Sequence, residues 1–323
     1  MPYKVKFSEV LNCSLCHARF KDQGERELEC RGCGNRWKMQ DEVLTPDNTT
    51  HYARSFGIQW NKFERTQLDS YQRQNRSEHR LLNESGWTPD FLGGKLILDA
   101  GCGAGRFSEI ALKHNGRVIS VDASSAVFAA RRNLKRNDSL IIQSDLEQIP
   151  VVTASVDLVF CIGVLQHTQN PQNIIKELLR VLCPQGEIVF TFYENRGMRT
   201  KLYSKYLIRP LTRRLPPEIF LKFLDKSSVF WFPITKLLFS IPYGIGRFFA
   251  YVVPIANYVN YSYLSKKHAK EEAILDTFDM LSPKYDRPIT KSELRKWVST
   301  SGFSSLELPV STKFGTLKFK KLD

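Results

Sequence analysis

The sequence predicts an α/β fold with a doubly wound, mostly parallel sheet. Apolar runs of strand length alternate with helical patterns between residues 93 and 193, the order expected of βαβ units. A glycine-rich turn joins the first of these runs to its helix. Two cysteine pairs precede this core and a basic, aromatic segment interrupts it. We therefore also predict a small N-terminal metal module and a helical insertion.

The composition is that of a globular protein. The chain has 323 residues, of which 42% are hydrophobic and 25% are charged, and this excludes disordered and collagenous classes. Lys and Arg number 47 against 33 Asp and Glu, so the formal net charge is +14 and a polyanionic partner or surface is expected. The first 16 residues show no apolar signal-peptide segment, so we expect a cytoplasmic protein.

Four of the seven cysteines are spaced as ligands of a metal ion. They form the pattern C-x2-C-x13-C-x2-C, made by Cys13, Cys16, Cys30 and Cys33. Two C-x-x-C turns that face each other complete the tetrahedral site of four thiolates that structural Zn2+ prefers. So short a segment has too few aliphatic side chains for a core of its own, and bound metal would supply much of its folding free energy. We predict a structural zinc site.

The glycine turn directly follows the first apolar run, since KLILDA is continued by GCGAGR. A strand, a glycine turn and a helix bring backbone close to a ligand and direct a helix N-terminus at it. The dinucleotide fingerprint G-x-G-x-x-G would need a glycine at Arg106, which disfavours NAD and FAD. The pattern D-x-G-x-G-x-G that begins at Asp99 instead resembles motif I of the class I S-adenosylmethionine-dependent methyltransferases.

Later segments follow in the order of that family. The chain reads LILDAGCGAGRFS, SVDASSA, QSDLEQIP, VDLVFCIGVLQHT and PQGEIVFTFY, which resemble its successive motifs over residues 93–193. The resemblance implies a Rossmann-like, doubly wound sheet of seven strands with the last strand antiparallel. Two strand patterns at 304–308 and 313–319, preceded by a helix over 292–301 with a capping box at Thr290, fit the end of such a sheet.

The resemblance also implies S-adenosyl-L-methionine as cofactor and assigns residues to it. Gly101 and Gly103 would let the loop pass the methionine part of the cofactor, with Asp99 near its amino group. Asp122 would accept hydrogen bonds from the ribose hydroxyls, and Asp145 would bind the adenine amino group. The alternative for Asp122 is a helix cap, and the alternative for Asp145 is a turn former. The predicted cofactor-binding set is Asp99, Gly101, Cys102, Gly103, Gly105, Asp122, Ala123, Asp145, Leu146 and Ile162.

Methyl transfer from a sulfonium chiefly needs an acceptor held close to the methyl group in a dry pocket. A base is needed only where the acceptor is a hydroxyl or an acidic carbon. We predict that His167, Tyr193 or Glu194 takes or orients that proton. A capping or packing role is the alternative for His167.

The segment after the fifth predicted strand is basic and aromatic. Residues 196–270 hold 14 Lys or Arg and two acidic residues, and residues 220–263 hold 13 aromatic ones, with Pro233, Pro242 and Pro254 expected to break the helices. A transmembrane helix is disfavoured, since the longest uncharged run has 18 residues and contains Pro254. Three interpretations stay open: contact with an anionic membrane at its inner face, an internal substrate lid, and an RNA surface. Aliphatic side chains favour lipid or core over RNA.

We therefore predict four regions. These are a zinc ribbon at 1–45, a helical N-terminal cover at 46–92, a methyltransferase core at 93–195 and 285–323, and the insertion at 196–284. The first region resembles the zinc ribbons that precede or partner some class I methyltransferases. The predicted acceptor is a small or lipid- or glycan-linked metabolite. The alternatives are base methylation of rRNA or tRNA, and a non-catalytic scaffold that binds the cofactor.

Overall fold

The structure is a computed structural model that describes residues 8–22, 27–47, 53–134, 138–258, 264–299, 303–306 and 315–322. Its strands are β1 Phe20–Asp22, β2 Glu27–Cys30, β3 Arg36–Gln40, β4 Val43–Pro46, β5 Leu96–Ala100, β6 Arg117–Asp122, β7 Ser139–Gln143, β8 Val156–Ile162, β9 Leu182–Phe192, β10 Phe303–Leu306 and β11 Gly315–Lys321. Its helices are α1 Arg54–Lys62, α2 Asp69–Gln72, α3 Arg76–Ser85, α4 Pro89–Leu92, α5 Arg106–Lys113, α6 Ala126–Asn133, α7 Pro171–Val181, α8 Met198–Lys201, α9 Ser204–Thr212, α10 Pro217–Phe239, α11 Ile245–Val252, α12 Lys266–Leu281 and α13 Lys291–Ser299.

The predicted seven-stranded sheet is confirmed, in the order β7-β6-β5-β8-β9-β11-β10. Strands β5 to β9 are parallel and β11 runs antiparallel to β9. All five residues of β5 are buried, as expected for a central parallel strand covered by helices on both faces. The predicted turn at 309–312 and the helix end at Gly302 lie outside the described residues.

The same sheet continues into the N-terminal cysteine module. Strands β1 to β4 are antiparallel neighbours, and β4 lies parallel to β7 with Leu44 opposite Ile142. Trp37 and Leu44 are buried in one apolar core with side chains of the parallel strands. Among the residues that the structure describes, the module is thus an extension of the sheet edge and shares its core.

The capping box before α13 is confirmed. The Thr290 backbone N–H donates to the Glu293 carboxylate (2.8 Å), and the Glu293 N–H donates to the Thr290 hydroxyl (3.1 Å). Each end of the pair satisfies one N–H that has no partner inside the helix. This fixes where the chain returns to the sheet after the insertion.

The insertion is helical, as predicted, but Pro233 does not break its longest helix. Helix α10 continues through that position to Phe239. A proline inside a helix removes one backbone hydrogen bond, here the one to the carbonyl of Val229. Val229 lies on the exposed side of α10, where water can replace that bond. The helix therefore stays continuous.

Helix α10 packs on α12 and on the N-terminal cover. Their shared apolar cluster includes Phe63, Phe220, Leu224, Ile274 and Phe278, all buried. The insertion is thus anchored to the rest of the protein through one side of α10. Within the described part of the chain, no helix is both long and apolar enough to cross a lipid bilayer.

Candidate active site

A cavity of about 920 Å³ lies at the carboxyl ends of the parallel strands. Ten predicted site residues line it: Gly101, Cys102, Gly103, Asp122, Ala123, Leu146, Ile162, His167, Tyr193 and Glu194. The N-terminal cover and the insertion supply the opposite walls, with Trp60 from α1 and Tyr251 from α11 among them. Asp99, Gly105 and Asp145 lie outside this lining.

The glycine loop passes its neighbours too closely for side chains. Gly101 has φ +85°, and a Cβ there would lie 2.3 Å from Val164 Cγ2. Gly103 has φ +53°, and a Cβ there would lie 3.0 Å from Trp60 Nε1 in the cavity wall. Both positions combine a left-handed backbone with a crowded approach, which is the geometry that requires glycine. Because Gly101 and Gly103 have no side chains, the backbone of the loop is accessible from the cavity.

Asp122 fixes this loop from the end of β6. One carboxylate oxygen accepts the Gly103 N–H (3.0 Å), and the other accepts the Ser124 N–H (2.8 Å) and hydroxyl (2.7 Å). The contact with Ser124 closes a turn before α6, which begins at Ala126 after the N-cap Ser125, so Asp122 makes no described contact as a helix cap. Asp122 also lines the cavity, as expected of a cofactor-binding residue. Burial raises its pKa, opposed by these hydrogen bonds.

Asp99 is a buried residue of β5, just before the glycine loop, and is not among the residues that line the cavity. Its side chain accepts a hydrogen bond from the Ser108 hydroxyl (2.6 Å), and Ser108 also contacts Ser120 (2.7 Å). Burial, and to a smaller extent the charge of Asp122, raise its pKa to about 7. These contacts tie Asp99 to α5 and, through Ser108, to β6, and a contact of Asp99 with bound cofactor stays a prediction.

We expect Asp99→Asn to stabilise the ligand-free protein as pH rises. A carboxyl whose pKa is raised from 3.8 to about 7 on folding stabilises the fold fully below pH 3.8 and loses that contribution as pH rises through 7. The neutral amide keeps an acceptor for Ser108 and carries no such penalty. The variant's advantage in unfolding free energy should reach about 4 kcal/mol at most near pH 8. Urea unfolding at several pH values measures it, and an advantage independent of pH would contradict the burial of an ionised Asp99.

Asp145 and Gly105 shape the edges of the site. The Asp145 carboxylate accepts the Glu147 N–H (3.0 Å), the contact of a turn former, while the next residue, Leu146, lines the cavity. Gly105 precedes α5 with φ +86°, and a Cβ there would lie 2.9 Å from Leu134. A direct contact of Asp145 with a bound adenine stays a prediction.

His167 and Tyr193 meet in the cavity beside Asp279. The His167 Nδ1 lies 3.1 Å from the Tyr285 carbonyl, and its Nε2 lies 3.8 Å from Asp279 Oδ2. A carbonyl only accepts hydrogen bonds, so the neutral ring carries its proton on Nδ1 and leaves Nε2 as an acceptor. The Tyr193 hydroxyl donates to the same Asp279 oxygen (3.4 Å). The rings of His167 and Tyr193 meet edge to face, with centroids 5.6 Å apart.

Glu194, the third predicted catalytic residue, lies apart from this pair. It also lines the cavity, but its carboxylate forms an ion pair with Arg196, which is exposed, at a distance of 3.2 Å.

Burial, together with the charge of Asp279, raises the pKa of Tyr193 well above its usual value. Tyr193 therefore stays protonated at neutral pH and serves as a donor.

Sequence reasoning missed the charged residues that the cover and the insertion bring to the cavity. Asp276 and Asp279 come from α12, Arg76 and Arg80 come from α3, and Arg106 of the core helix α5 lines the same cavity. Burial, and then the charge of Asp279, raise the pKa of Asp276 to about 7. One signal was available, since two acidic residues three positions apart interrupt the apolar run AILDTFDML and must share one helix face.

The four predicted metal ligands also lie together. Their sulfur atoms are all within 4.8 Å of one another, with Cys13 and Cys33 at 3.6 Å and Cys16 and Cys30 at 3.3 Å. Four thiolates at Zn–S bonds of about 2.3 Å in a tetrahedron lie about 3.8 Å apart. Backbone N–H groups of Leu15 and Gly32 donate to Cys13 and Cys30 sulfurs. This arrangement fits a zinc ion.

Comparison with known families gives a match in the centre of the chain. Residues 98–190 match a family described as a methyltransferase domain. The match spans the glycine loop, Asp122 and His167. The resemblance noted in the sequence is confirmed for this part of the chain.

Two curated relatives are similar to about a third of this chain. The ubiquinone biosynthesis O-methyltransferase of Coxiella burnetii is 32% identical over 116 residues, which cover 35% of this chain and 49% of that protein. The malonyl-[acyl-carrier protein] O-methyltransferase of Enterobacter lignolyticus is 35% identical over 95 residues, covering 29% and 38%. The chain thus spans about half of these relatives or less. A solved S-adenosylmethionine-dependent methyltransferase from Mesorhizobium loti is 15% identical, with 76% of this chain and 98% of that chain covered and a TM-score of 0.44.

Proposed function

We propose that this chain, whose residues 98–190 form a class I methyltransferase domain, methylates a small or lipid- or glycan-linked acceptor with S-adenosylmethionine. The observation that carries the proposal is the single cavity shared by the glycine loop, Asp122 and the His167–Tyr193 pair. A cofactor site and a proton acceptor therefore face the same space. Both relatives named above are O-methyltransferases, which supports a hydroxyl or carboxyl oxygen as the acceptor atom.

The residues present fit the cofactor. When bound, S-adenosylmethionine supplies a methyl group already activated as a sulfonium. We propose that the backbone of Gly101 and Gly103 borders its methionine part, and that Asp122 accepts a hydrogen bond from a ribose hydroxyl. The carboxylate has about four lone-pair sites, and the Gly103 N–H and the Ser124 N–H and hydroxyl take three of them, which leaves one on the oxygen that binds Gly103. Leu146 and Ile162 add apolar walls.

The acceptor's proton would pass to His167. Its Nε2 is an acceptor inside the cavity, because the Tyr285 carbonyl holds the proton on Nδ1. Asp279 lies near enough to stabilise the ring once it is charged (3.8 Å). Tyr193, which stays protonated, would donate a hydrogen bond to orient the acceptor oxygen or Asp279.

Loss of the base should separate chemistry from cofactor binding. We expect His167→Ala to lower kcat by about 10²- to 10⁴-fold, because a positioned general base contributes that much, with little change in affinity for S-adenosylmethionine. Glu194→Gln, at the same cavity but paired with Arg196, serves as the matched variant and should lose much less. Equal losses in both variants, or an unchanged kcat in His167→Ala, would exclude His167 as the base.

The insertion supports an acceptor with apolar parts. Phe239, Ala250, Ile255 and Met280 line the cavity, beside tyrosines that offer hydroxyl groups. Trideuteromethyl-labelled S-adenosylmethionine, supplied with lipid, small-metabolite and rRNA fractions, tests the class by mass spectrometry. Label in the lipid or small-metabolite fraction supports the proposal. Label in rRNA would favour the second candidate function, base methylation of RNA. The positive charge of the insertion is the observation that supports this candidate. Cofactor binding without transfer would indicate a scaffold.

We further propose that Cys13, Cys16, Cys30 and Cys33 hold one structural Zn2+. The close set of four sulfurs supports this, and four thiolate ligands leave no coordination position for a substrate. The module would then secure β1 to β4 at the edge of the sheet, next to the segment that carries Asp145. Leu11 forms a bridge with Val151 there, and the Asn12 N–H donates to the Pro150 carbonyl (3.2 Å).

A further inference from the structure

Helix α10 has an apolar side that no described residue covers. Its inner side buries Phe220, Leu224 and Phe239. Its outer side exposes large apolar side chains at helical spacing, namely Ile219 (62%), Phe223 (62%), Phe230 (72%), Ile234 (56%) and Leu237 (73%). Residues three, four and seven positions apart share one helix face. This row is larger than the scattered apolar side chains of an ordinary surface, so it indicates a binding face.

The next helix, α11, also exposes apolar side chains. Helix α11 approaches α10 so closely that a Cβ on Gly246 would lie 2.3 Å from the Phe239 carbonyl oxygen. Ile245, Phe248 and Val252 of α11 are exposed, and Tyr243 in the turn between the helices is 97% exposed. We refer to these side chains and the five of α10 as the α10–α11 face.

Positive charge accompanies the apolar side chains. Lys222, Lys226 and Arg247 are exposed on the same two helices, and none of them forms an ion pair with a residue that the structure describes. The acidic residues of α10 are used elsewhere, since Glu218 binds Arg54 (3.0 Å) and Asp225 binds Lys62 (2.6 Å). These two pairs neutralise the negative charges against the cover. The α10–α11 face is left with a net positive charge.

The face adjoins the candidate active site. Phe239 at the end of α10 and Ala250 and Tyr251 of α11 line the cavity, while Phe248 and Val252 of the same short helix are exposed. One helix thus borders the cavity with one side and the surroundings with the other. An acceptor held at the face would have a short path to the cavity.

We propose that the α10–α11 face binds the anionic surface of a lipid bilayer and that the cavity takes its acceptor from that membrane; the second half rests on the proposed function. Aromatic and aliphatic side chains on helices that lie in the interface plane bury at headgroup depth, and cations around them attract anionic lipids. A second copy of the chain fits less well, because a twofold contact would bring the same unpaired lysines together. A nucleic acid would leave Ile219, Ile234 and Leu237 without a partner, since stacking uses aromatic rings.

Vesicle cosedimentation tests the proposal. Wild-type protein should be retained by vesicles of phosphatidylcholine with phosphatidylglycerol, weakly by phosphatidylcholine alone, and less as salt rises. Lys222→Glu with Lys226→Glu should reduce the partition coefficient by at least about 25-fold, since each lysine near an anionic surface contributes about fivefold. Phe230→Ala with Leu237→Ala should reduce it at least tenfold, a rough lower bound for two buried apolar side chains. These four side chains are exposed, so folding should persist.

Matched changes elsewhere give the control. Lys176→Glu with Lys296→Glu, and Phe91→Ala, alter exposed residues outside the insertion and should leave retention unchanged. Calorimetry with S-adenosylmethionine on each preparation separates the two proposals, because retention without cofactor binding would contradict only the proposed function. No retention of a wild type that binds cofactor would overturn the docking proposal. So would concentration-dependent dimers abolished by the face variants, or retention by RNA in place of vesicles.

Discussion

Removal of zinc is expected to unfold β1 to β4 and to release the edge of the sheet beyond β7. Structural Zn2+ binds its site in zinc-finger peptides with about 10 to 16 kcal/mol. The apolar side chains that these short strands contribute to the core are few: Trp37, Val43 and Leu44 are buried, and Phe20, Leu28 and Met39 are partly buried. Cys30→Ser should therefore lose the metal and lower the thermal midpoint markedly. Elemental analysis should give one zinc per chain in the wild type. Amide hydrogen exchange should show lost protection in β2 and β3, whereas β5 and β8 keep theirs.

A buried cysteine outside the cluster provides the control. Cys161→Ser changes a buried thiol of β8 and should keep the full zinc content, although it too will cost some stability. The two variants therefore differ in metal content and in where protection is lost. Zinc retained by Cys30→Ser, or a wild type without zinc whose β2 and β3 are fully protected, would contradict the proposed site.

Replacement of Asp122 by Ala is expected to reduce affinity for S-adenosylmethionine by about 10- to 150-fold. Loss of an acceptor for buried hydroxyls costs roughly 1.5 to 3 kcal/mol. The change also frees the Gly103 N–H, which the carboxylate holds at 3.0 Å, so the glycine loop loses its anchor. Equilibrium dialysis with labelled cofactor measures the affinity directly.

Two further variants, Asp122→Asn and Asp90→Ala, serve as comparisons for Asp122→Ala. The amide keeps one acceptor but also presents donors to hydroxyl or N–H partners, so its loss should lie between wild type and Asp122→Ala. Asp90 is exposed on α4, outside the described lining of the cavity, and its replacement should have no effect. Wild-type affinity in Asp122→Ala would remove this residue from the cofactor site.

The central sheet was predictable because its signals are local. The run LILDA, the glycine turn and the capping box at Thr290 each lie within a few residues of the structure that they specify. The pairing of β4 with β7 was not predictable in this way. It joins Leu44 to Ile142, which lie far apart in the chain, and depends on the burial of Trp37 against the sheet.

The site divides in the same manner. Gly101 and Gly103 lie in the loop after β5 and Asp122 ends β6, so the topology alone brings them to one edge of the sheet. Asp279 reaches His167 only because α12 packs through Ile274 and Phe278 on α10 and the N-terminal cover, and no local pattern specifies that docking.

The aromatic residues of the insertion show a further limit of composition. Phe220 is buried and Phe230 is exposed on the same helix. The sequence pattern alone places both in one aromatic segment and does not separate them. Once the bounds of α10 are known, its period assigns each to a side. The lid and the membrane interpretation then concern different faces of one helix.

Calorimetric titration of the purified wild-type protein with S-adenosylmethionine, beside the same titration with NADH, tests the central claim most directly. A cavity formed by the glycine loop and Asp122 should bind one S-adenosylmethionine per chain with micromolar affinity and should give no heat with NADH. Binding of NADH, or no binding of S-adenosylmethionine by protein that is folded and contains zinc, would contradict the proposal that this cavity serves methyl transfer.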